Sequence, residues 1–382
     1  MKDDKRFYIA RLADDLQDGA SERAVEVYEY AVLADADVVG ELETDQFVFR
    51  VWEMGSFGNG QIRWLCLRMR YPIATEDERQ QEYERRRQWT KSERANAFYH
   101  GGGPAEEVVA LASIFFRRRL RLGQQVRMND NPVMVNWDNN TNRLDEYRRG
   151  VVNTADAGDW FALLSKLDPK LHLSVMLAAR LYQEALWQYE TAPDLAYINL
   201  VTAVESLSNR ASNEAATLAT LDEQLSDLVG EISDDDLRLR ITTHLEGRLR
   251  PDRVKARWVK FILDHVTPEF WTERVLPESV STDATDKQLA DAGYITPSTL
   301  ERMIRKIYDQ RSDSLHRGRP FPPFITDTIG GADVPPYALS MSYRGGSWNQ
   351  DEFFPNLPFF ERLVRNVIMS FVASNQLDPP TT

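Results

Sequence analysis

The sequence contains little cysteine and little histidine. Among its 382 residues only Cys66 carries a thiol, which excludes an intramolecular disulfide and every cysteine-rich metal cage and fits a reducing compartment. The five histidines are scattered, with no HExxH pattern and no close pair, and this distribution argues against a zinc enzyme. We therefore expect no bound metal and no cofactor.

Long apolar runs and an excess of positive charge are also missing. No window approaches the ~20 apolar residues that a membrane span needs, and the first residues lead into no such run. The 46 Lys and Arg are outnumbered by 59 Asp and Glu, for a formal charge of -13. Indiscriminate coating of nucleic acid or of anionic membranes is therefore excluded, so any RNA site must be a local basic patch. We expect a globular cytoplasmic protein that makes no membrane contact.

The first part of the chain mixes strand and helix patterns. Short segments rich in Val, Phe, Trp and Ile predict strands over residues 28–33, 47–52 and 62–69, with a glycine-containing hairpin connection between the last two. A polar helix is predicted over 75–97, an apolar helix begins at Pro104, and a further strand is expected within 124–137. Turn-forming residues then indicate a linker. The sequence predicts an N-terminal α+β domain over residues 1–155.

The rest of the chain, residues 156–382, has the texture of helices. Apolar residues recur at three- and four-residue spacing. Helices are predicted over residues 172–190, from Pro193 onward, and over 215–229, 234–245, 251–265, 297–311 and 358–374. A proline- and glycine-rich insertion lies at 320–348. We expect an α+β protein overall, in which a mixed N-terminal domain is followed by an all-α helical bundle.

One predicted helix breaks its own apolar pattern. Its apolar stripe is formed by Leu300, Met303, Ile304, Ile307 and Tyr308. At about 100° per residue, Arg311 projects into the middle of this stripe rather than onto the polar side. A buried guanidinium without a partner is costly, so Arg311 must meet a carboxylate, a set of carbonyls or an anionic ligand.

A histidine and further cations follow this arginine. His316 lies five residues after Arg311, and positions five apart on a continuous helix diverge by about 140°. The two side chains can act together only if the helix unwinds near Ser314 or if two copies of the chain combine. Six cations and three anions lie between Glu301 and Arg319, a local balance of +3. This segment is the basic patch that an RNA site requires.

An arginine combined with a histidine suits phosphodiester cleavage. Histidine exchanges a proton near neutral pH, either with a ribose 2'-hydroxyl or with the leaving 5'-oxygen, and a guanidinium stabilises the charge of the transition state. No metal is then required. The pattern RxxxxH also arises from a histidine near a helix end and an arginine in a salt bridge, so a purely structural role for Arg311 stays open.

The motif and its context resemble the HEPN superfamily, and most closely its Apea-like branch. The resemblance rests on Lys306-Ile-Tyr-Asp-Gln-Arg-Ser-Asp-Ser-Leu-His-Arg-Gly-Arg-Pro before the final helix, and on the earlier helix Ala196-Tyr-Ile-Asn-Leu-Val-Thr-Ala-Val-Glu-Ser-Leu. It covers roughly residues 165–376, and its specific motif is short. Many HEPN proteins are metal-independent ribonucleases that act as dimers in toxin–antitoxin and antiphage systems. Others bind nucleotides or act as non-cleaving partners.

The resemblance implies roles for individual residues. Arg311 and His316 would be catalytic in an endoribonuclease that cleaves RNA by 2'-hydroxyl attack and leaves a 2',3'-cyclic phosphate. A homodimer through the helical domain would be implied, with a regulatory protein or a nucleotide as possible ligands of residues 1–155. The alternative is a non-catalytic HEPN module that binds a nucleotide or a protein partner.

Four neighbouring residues have supporting interpretations. Asp313 either orients His316 or is a solvated surface residue. Glu205, on the helix that begins near Pro193, can reach Arg311 and fix its guanidinium, which fits a structural role as well as a catalytic one. Arg317 and Arg319 either contact RNA phosphates or point into solvent.

Overall fold

The computed structural model describes residues 6–18, 24–35, 37–57, 60–88, 103–133, 150–211, 223–273, 285–291, 295–322, 325, 341–343, 346–348 and 355–377. The chain is of mixed α+β class, with a β-sheet in its N-terminal region and helices later, as the sequence predicts. Two compact units are present. Unit 1 comprises Met1–Ala192 and Phe371–Thr382, and unit 2 comprises Pro193–Ser370. Among the described residues, no helix combines the length and apolarity needed to cross a lipid bilayer.

Unit 1 is built on a six-stranded antiparallel sheet with strand order β3-β4-β5-β1-β6-β7. Its strands are β1 (Val25–Ala34), β3 (Glu41–Glu43), β4 (Phe47–Phe57), β5 (Gly60–Pro72), β6 (Leu120–Met128) and β7 (Asn131–Pro132). Two further strands, β2 (Val38–Val39) and β8 (Val152–Asn153), form a separate parallel pair. The three strands predicted before residue 70 are confirmed, and β4 and β5 pair as the predicted hairpin.

The described part of unit 1 also contains helices. They are α1 (Tyr8–Asp18), α2 (Glu76–Arg87), α3 (Pro104–Phe116), α4 (Gly158–Lys166) and α5 (His172–Gln188). Helix α3 begins at Pro104, and the preceding Gly103 N–H donates to Glu106 Oε2 at 2.7 Å. Phe116, at the end of α3, stacks on Phe49 of β4 with ring centroids 6.3 Å apart. The apolar face of the sheet and α3 therefore share one core.

The division between the units lies later than the boundary predicted near residue 155. Helices α4 and α5 belong to unit 1 because their side chains are bound to its backbone. Trp160 Nε1 donates to the carbonyl of Leu111 at 3.2 Å, and Gln183 Nε2 donates to that of Leu120 at 2.7 Å. His172 is buried, and its Nδ1 accepts the N–H of Phe7 at 2.9 Å. This histidine is a structural residue.

The single cysteine is protected by the sheet of unit 1. Cys66 is 1% exposed, and burial raises the pKa of its thiol to about 12. Because the thiolate is the reactive species, we expect Cys66 to resist a thiol-specific reagent at mildly alkaline pH in the folded chain and to react fully once denaturant unfolds it. The test is the rate of labelling with and without denaturant, and rapid labelling of the folded chain would contradict the buried position.

Unit 2 consists mainly of helices. In its described part these are α6 (Pro193–Ala211), α7 (Glu223–Gly230), α8 (Asp235–His265), α9 (Pro268–Thr272), α10 (Asp286–Asp291), α11 (Pro297–Arg317) and most of α12 (Leu357–Ser374). Two short strands, β9 (Met341–Tyr343) and β10 (Gly346–Trp348), form an antiparallel pair. The insertion predicted at 320–348 lies largely outside the described residues. Buried aromatic rings occupy the core, where Tyr197 stacks on Phe360 with centroids 4.8 Å apart.

Helix α8 is continuous where the sequence predicts two helices, over 234–245 and 251–265, so that prediction is wrong. A proline costs one intrahelical hydrogen bond and disfavours helix in the residue before it, which is why Pro251 suggests a helix start. Tertiary packing outweighs this local preference. Trp258, about two turns after Pro251, is fully buried, and its Nε1 donates to the carbonyl of Val201 at 3.2 Å.

Candidate functional site

The candidate site is built on α11, which runs without interruption through the RxxxxH motif. The helix begins with Pro297 in its first turn, and its residues Ile304 and Ile307 are buried in the core of unit 2. It ends at Gly318, whose φ of 66° is left-handed and whose N–H donates to the carbonyl of Ser314 at 3.2 Å. The helix extends six residues past the predicted end at 311. It does not unwind near Ser314, so the first of the two geometric solutions for the motif is excluded.

Arg311 is held by a carboxylate from α6. Its Nη2 donates to Oε2 of Glu205 at 2.9 Å, and the hydroxyl of Tyr308 donates to Oε1 of the same carboxylate at 2.8 Å. The contact between Glu205 and Arg311 that the sequence predicts is therefore present. The arginine side chain keeps 19% of its surface exposed and the glutamate side chain 13%. The Arg311 side chain is thus only partly covered, and part of its surface remains open to solvent.

Aromatic rings form the inner wall of this cluster. The ring of Tyr308 lies 5.3 Å from that of Trp258, and Arg311 Cζ lies 5.8 Å from the Tyr308 centroid. Burial and the hydrogen bond to Glu205 raise the pKa of the Tyr308 phenol well above its ordinary value. The phenol therefore stays protonated and keeps donating to Glu205 throughout the neutral range. In the described part of the chain Arg311 Nε is buried without a hydrogen-bond partner.

His316 lies on a different side of α11 from Arg311. Across five residues of continuous helix the two positions are separated by about 140° around the axis and about 7.5 Å along it. His316 is exposed, whereas Arg311 is mostly covered. One chain therefore places the two catalytic candidates on one helix but does not direct them at a common point.

The remaining candidates form a small ion-pair network at the end of α11. Asp313 Oδ1 lies 3.2 Å from Arg317 Nη1, and its Oδ2 lies 3.9 Å from Arg319 Nη1. The Asp313 carboxylate thus faces two cations, and the described contacts include none between it and His316. The Arg317 side chain is 78% exposed and that of Arg319 35% exposed, so both side chains are accessible from solvent.

Two cations near the motif are missed by sequence reasoning because they lie on α8, about fifty residues earlier. Lys255 Nζ contacts both carboxylate oxygens of Asp309 at 2.7 Å. Arg257 donates to Asn209 Oδ1 on α6, and its charge opposes the rise in the pKa of Tyr308. No sequence spacing connects these residues to the motif. Their helical positions alone give no signal that they join it.

Comparison of the chain with protein-family models, with curated proteins and with solved structures finds no match. The described side chains include no group of three or more His, Cys, Asp and Glu residues arranged to hold a metal ion. The chemistry of the site is therefore inferred from its geometry: a partly exposed arginine side chain held by Glu205, and an exposed histidine on the same helix.

Proposed function

We propose that the chain is a metal-independent endoribonuclease of the HEPN type, active in the cytoplasm as a homodimer of its helical unit. The observation that carries this proposal is the placement of Arg311. It is a cation on the apolar side of α11, held in one orientation by Glu205 and still partly open to solvent. An arginine held in this way can bind a phosphate oxygen with little loss of side-chain entropy.

In the proposed reaction the ribose 2'-oxygen attacks the adjacent phosphorus. An imidazole of His316 takes the 2'-hydroxyl proton as the new O2'–P bond forms. Arg311 stabilises the negative charge on the phosphorane-like transition state. The P–O5' bond then breaks, and a protonated imidazole gives its proton to the leaving 5'-oxygen. The products are a 2',3'-cyclic phosphate and a 5'-hydroxyl, so no water is consumed and no metal is needed.

The continuity of α11 supports the proposed dimer. Since Arg311 and His316 of one chain point about 140° apart, a single phosphate meets both residue types only when two copies place their α11 helices beside each other. Two copies also supply two imidazoles, one as base and one as acid. Arg317 and Arg319, which are accessible from solvent, would contact phosphates on either side of the scissile bond.

A second function has one observation in its favour. Glu205 already provides Arg311 with a carboxylate at 2.9 Å, and this pairing satisfies the arginine without any ligand. The alternative proposal is therefore a non-catalytic HEPN module that binds a nucleotide or a protein partner. In that case the partly exposed Arg311 would bind an anion without cleaving it.

The test is cleavage of a labelled single-stranded RNA by the full chain in the presence of EDTA. We expect cleavage that leaves 2',3'-cyclic phosphate ends, and no cleavage of a DNA of the same sequence, because DNA has no 2'-hydroxyl. End-group analysis by mass spectrometry identifies the products. Absence of cleavage in EDTA across a wide range of protein concentrations would overturn the ribonuclease proposal and leave the binding module.

A further inference from the structure

The beginning of α1 is bound by two titratable side chains from other elements of unit 1. An α-helix leaves its first N–H groups without an acceptor in its own backbone. His172 Nδ1 accepts the N–H of Phe7, just before α1, at 2.9 Å. The Glu107 carboxylate accepts the next two, from Tyr8 and Ile9, at 3.0 and 2.9 Å. An imidazole and a carboxylate therefore hold this end of the helix in place.

The contacts of His172 fix the state of both its ring nitrogens. A backbone N–H can only donate, so Nδ1, which binds the N–H of Phe7, must accept and carries no proton. Nε2 lies 3.0 Å from the carbonyl oxygen of Leu167, which can only accept, so Nε2 carries the proton. The His172 ring is thus neutral when α1 is docked. A proton added at Nδ1 would face the Phe7 N–H and end that hydrogen bond.

The imidazole lies in the core of unit 1. His172 and Phe7 are both buried, and their rings stack with centroids 4.1 Å apart. Burial of a charged imidazole is costly, and the partial positive charge at the N-terminus of α1 adds to that cost. Protonation of His172 and docking of Phe7 therefore oppose each other.

Charged groups surround this cluster on several elements. Glu107, on α3, is buried and binds the same helix end as His172, so its negative charge favours an imidazolium. The charge of Glu107 also interacts with that of Arg180 on α5. Within four positions of the bonded residues, the other described charged or titratable residues are Arg6, Tyr8, Arg11, Glu106, Lys166, Asp168 and Lys170. None of these charges alters the need for a neutral ring, because the two hydrogen bonds of the ring set it.

The body of α1 is lightly packed. Within residues 6–17 the buried side chains are those of Phe7 and Leu12. A cavity of about 460 Å³ is lined by α1 on one side and by residues of β3, β4 and α4 on the other. Segments with few buried apolar contacts open at a low cost in free energy. The hydrogen bonds at the beginning of α1 are therefore important for its docking.

From these contacts we infer that α1 is a pH-sensitive switch: protonation of His172 releases residues 6–18 from unit 1 while the sheet stays folded. This inference is independent of the proposed function. In the released state an exposed imidazole takes up a proton at about pH 6.5, whereas the docked state requires the neutral ring. Docking is therefore complete above that pH and is lost progressively as the pH falls below it. Release uncovers the apolar residues that line the cavity opposite α1, among them Phe47 and Phe161.

The test is amide hydrogen exchange of the full chain, corrected for the intrinsic exchange rate at each pH. Because opening takes up one proton, we expect the opening equilibrium of α1 to rise about tenfold between about pH 7.5 and about pH 5.5. The amides of β1 and β5 should keep their protection, since the sheet stays folded. His172→Asn offers an oxygen acceptor in place of Nδ1 and cannot be protonated. Its α1 should show no such rise.

His244→Ala is the matched control, because it removes an exposed histidine of unit 2 and should keep the wild-type rise. The inference is wrong if α1 of the wild type exchanges alike at both pH values, or if His172→Asn shows the same rise as the wild type. It is also wrong if β1 and β5 lose protection together with α1, since the whole unit then unfolds.

A second measurement on the wild type covers the case in which His172→Asn does not fold. Nitrogen-15 labelling of the histidines distinguishes protonated from unprotonated ring nitrogens by chemical shift. We expect the His172 ring to be protonated at Nε2 alone while α1 is docked, and to gain its second proton with the same midpoint as the loss of α1 protection. An imidazolium at His172 beside a protected Phe7 amide would overturn the inference, and so would a ring that stays neutral after α1 has opened at acid pH.

Discussion

Replacing His316 by alanine is expected to lower the rate of RNA cleavage at least ~100-fold, because a general acid or base contributes about that much or more. The substitution should leave the fold intact. His316 is exposed near the C-terminal end of α11, and the structure assigns it no hydrogen bond to the described residues. The measurement is the single-turnover rate on a labelled RNA, combined with the melting temperature and the oligomeric state of the variant.

His244→Ala is the appropriate control, since His244 is an exposed histidine on α8 of the same unit. Its cleavage rate should equal that of the wild type. Should His316→Ala cleave as fast as His244→Ala, proton transfer by His316 is dismissed, and the arginine-centred anion site remains without chemistry.

Removing the Glu205 carboxylate is expected to destabilise unit 2 by about 2 kcal/mol, because one substitution deprives both Arg311 and Tyr308 of their acceptor. Removing one partner of a fully buried ion pair costs more stability than this. Arg311 and Glu205, however, retain some solvent exposure, which screens their interaction. Glu205→Ala should therefore shift the urea midpoint downward, as monitored by helical circular dichroism. Glu205→Gln should lose less stability than Glu205→Ala, since the amide oxygen of the glutamine still accepts a hydrogen bond from the Tyr308 hydroxyl.

A double-mutant cycle separates the two roles of this pair. Arg311→Met with Glu205→Leu removes both charges and keeps apolar volume, so its loss of stability should be smaller than the sum of the single losses. The same double variant should remain inactive on RNA, because no guanidinium is left at the site. Full activity in this variant would show that Arg311 has a structural role only. Additive stability losses would show that the two side chains do not interact.

Much of the helical framework was predictable because the pattern of α11 is strong. Three features of its sequence indicate the same helix: the apolar stripe, the proline in the first turn and the glycine after the last turn. The prediction was wrong only in ending the helix at residue 311. The inward placement of Arg311 and its contact with Glu205 were predictable for a related reason. A cation within an apolar stripe requires a partner, and few carboxylates lie on helices that pack beside it.

Other features depend on contacts between distant parts of the chain. The continuity of α8 through Pro251 is decided by the burial of Trp258. That burial cannot be deduced from the helix preferences of the neighbouring residues. The clustering of Arg50, Arg68 and Arg127 around Glu29 depends on strand order, which brings β1 between β5 and β6 although β6 follows some fifty residues later. One local signal was available in the sequence: Arg68 and Arg70 alternate with the apolar residues Leu67 and Met69 within β5.

The uninterrupted course of α11 has a consequence for how the activity depends on protein concentration. Under the proposed mechanism an isolated chain is inert, so specific activity rises with concentration until pairing saturates, as mass action requires. A mixed pair in which one chain lacks His316 would keep a single imidazole and would therefore lose either the base or the acid. Synthesis and dilution alone would then switch such an enzyme on and off.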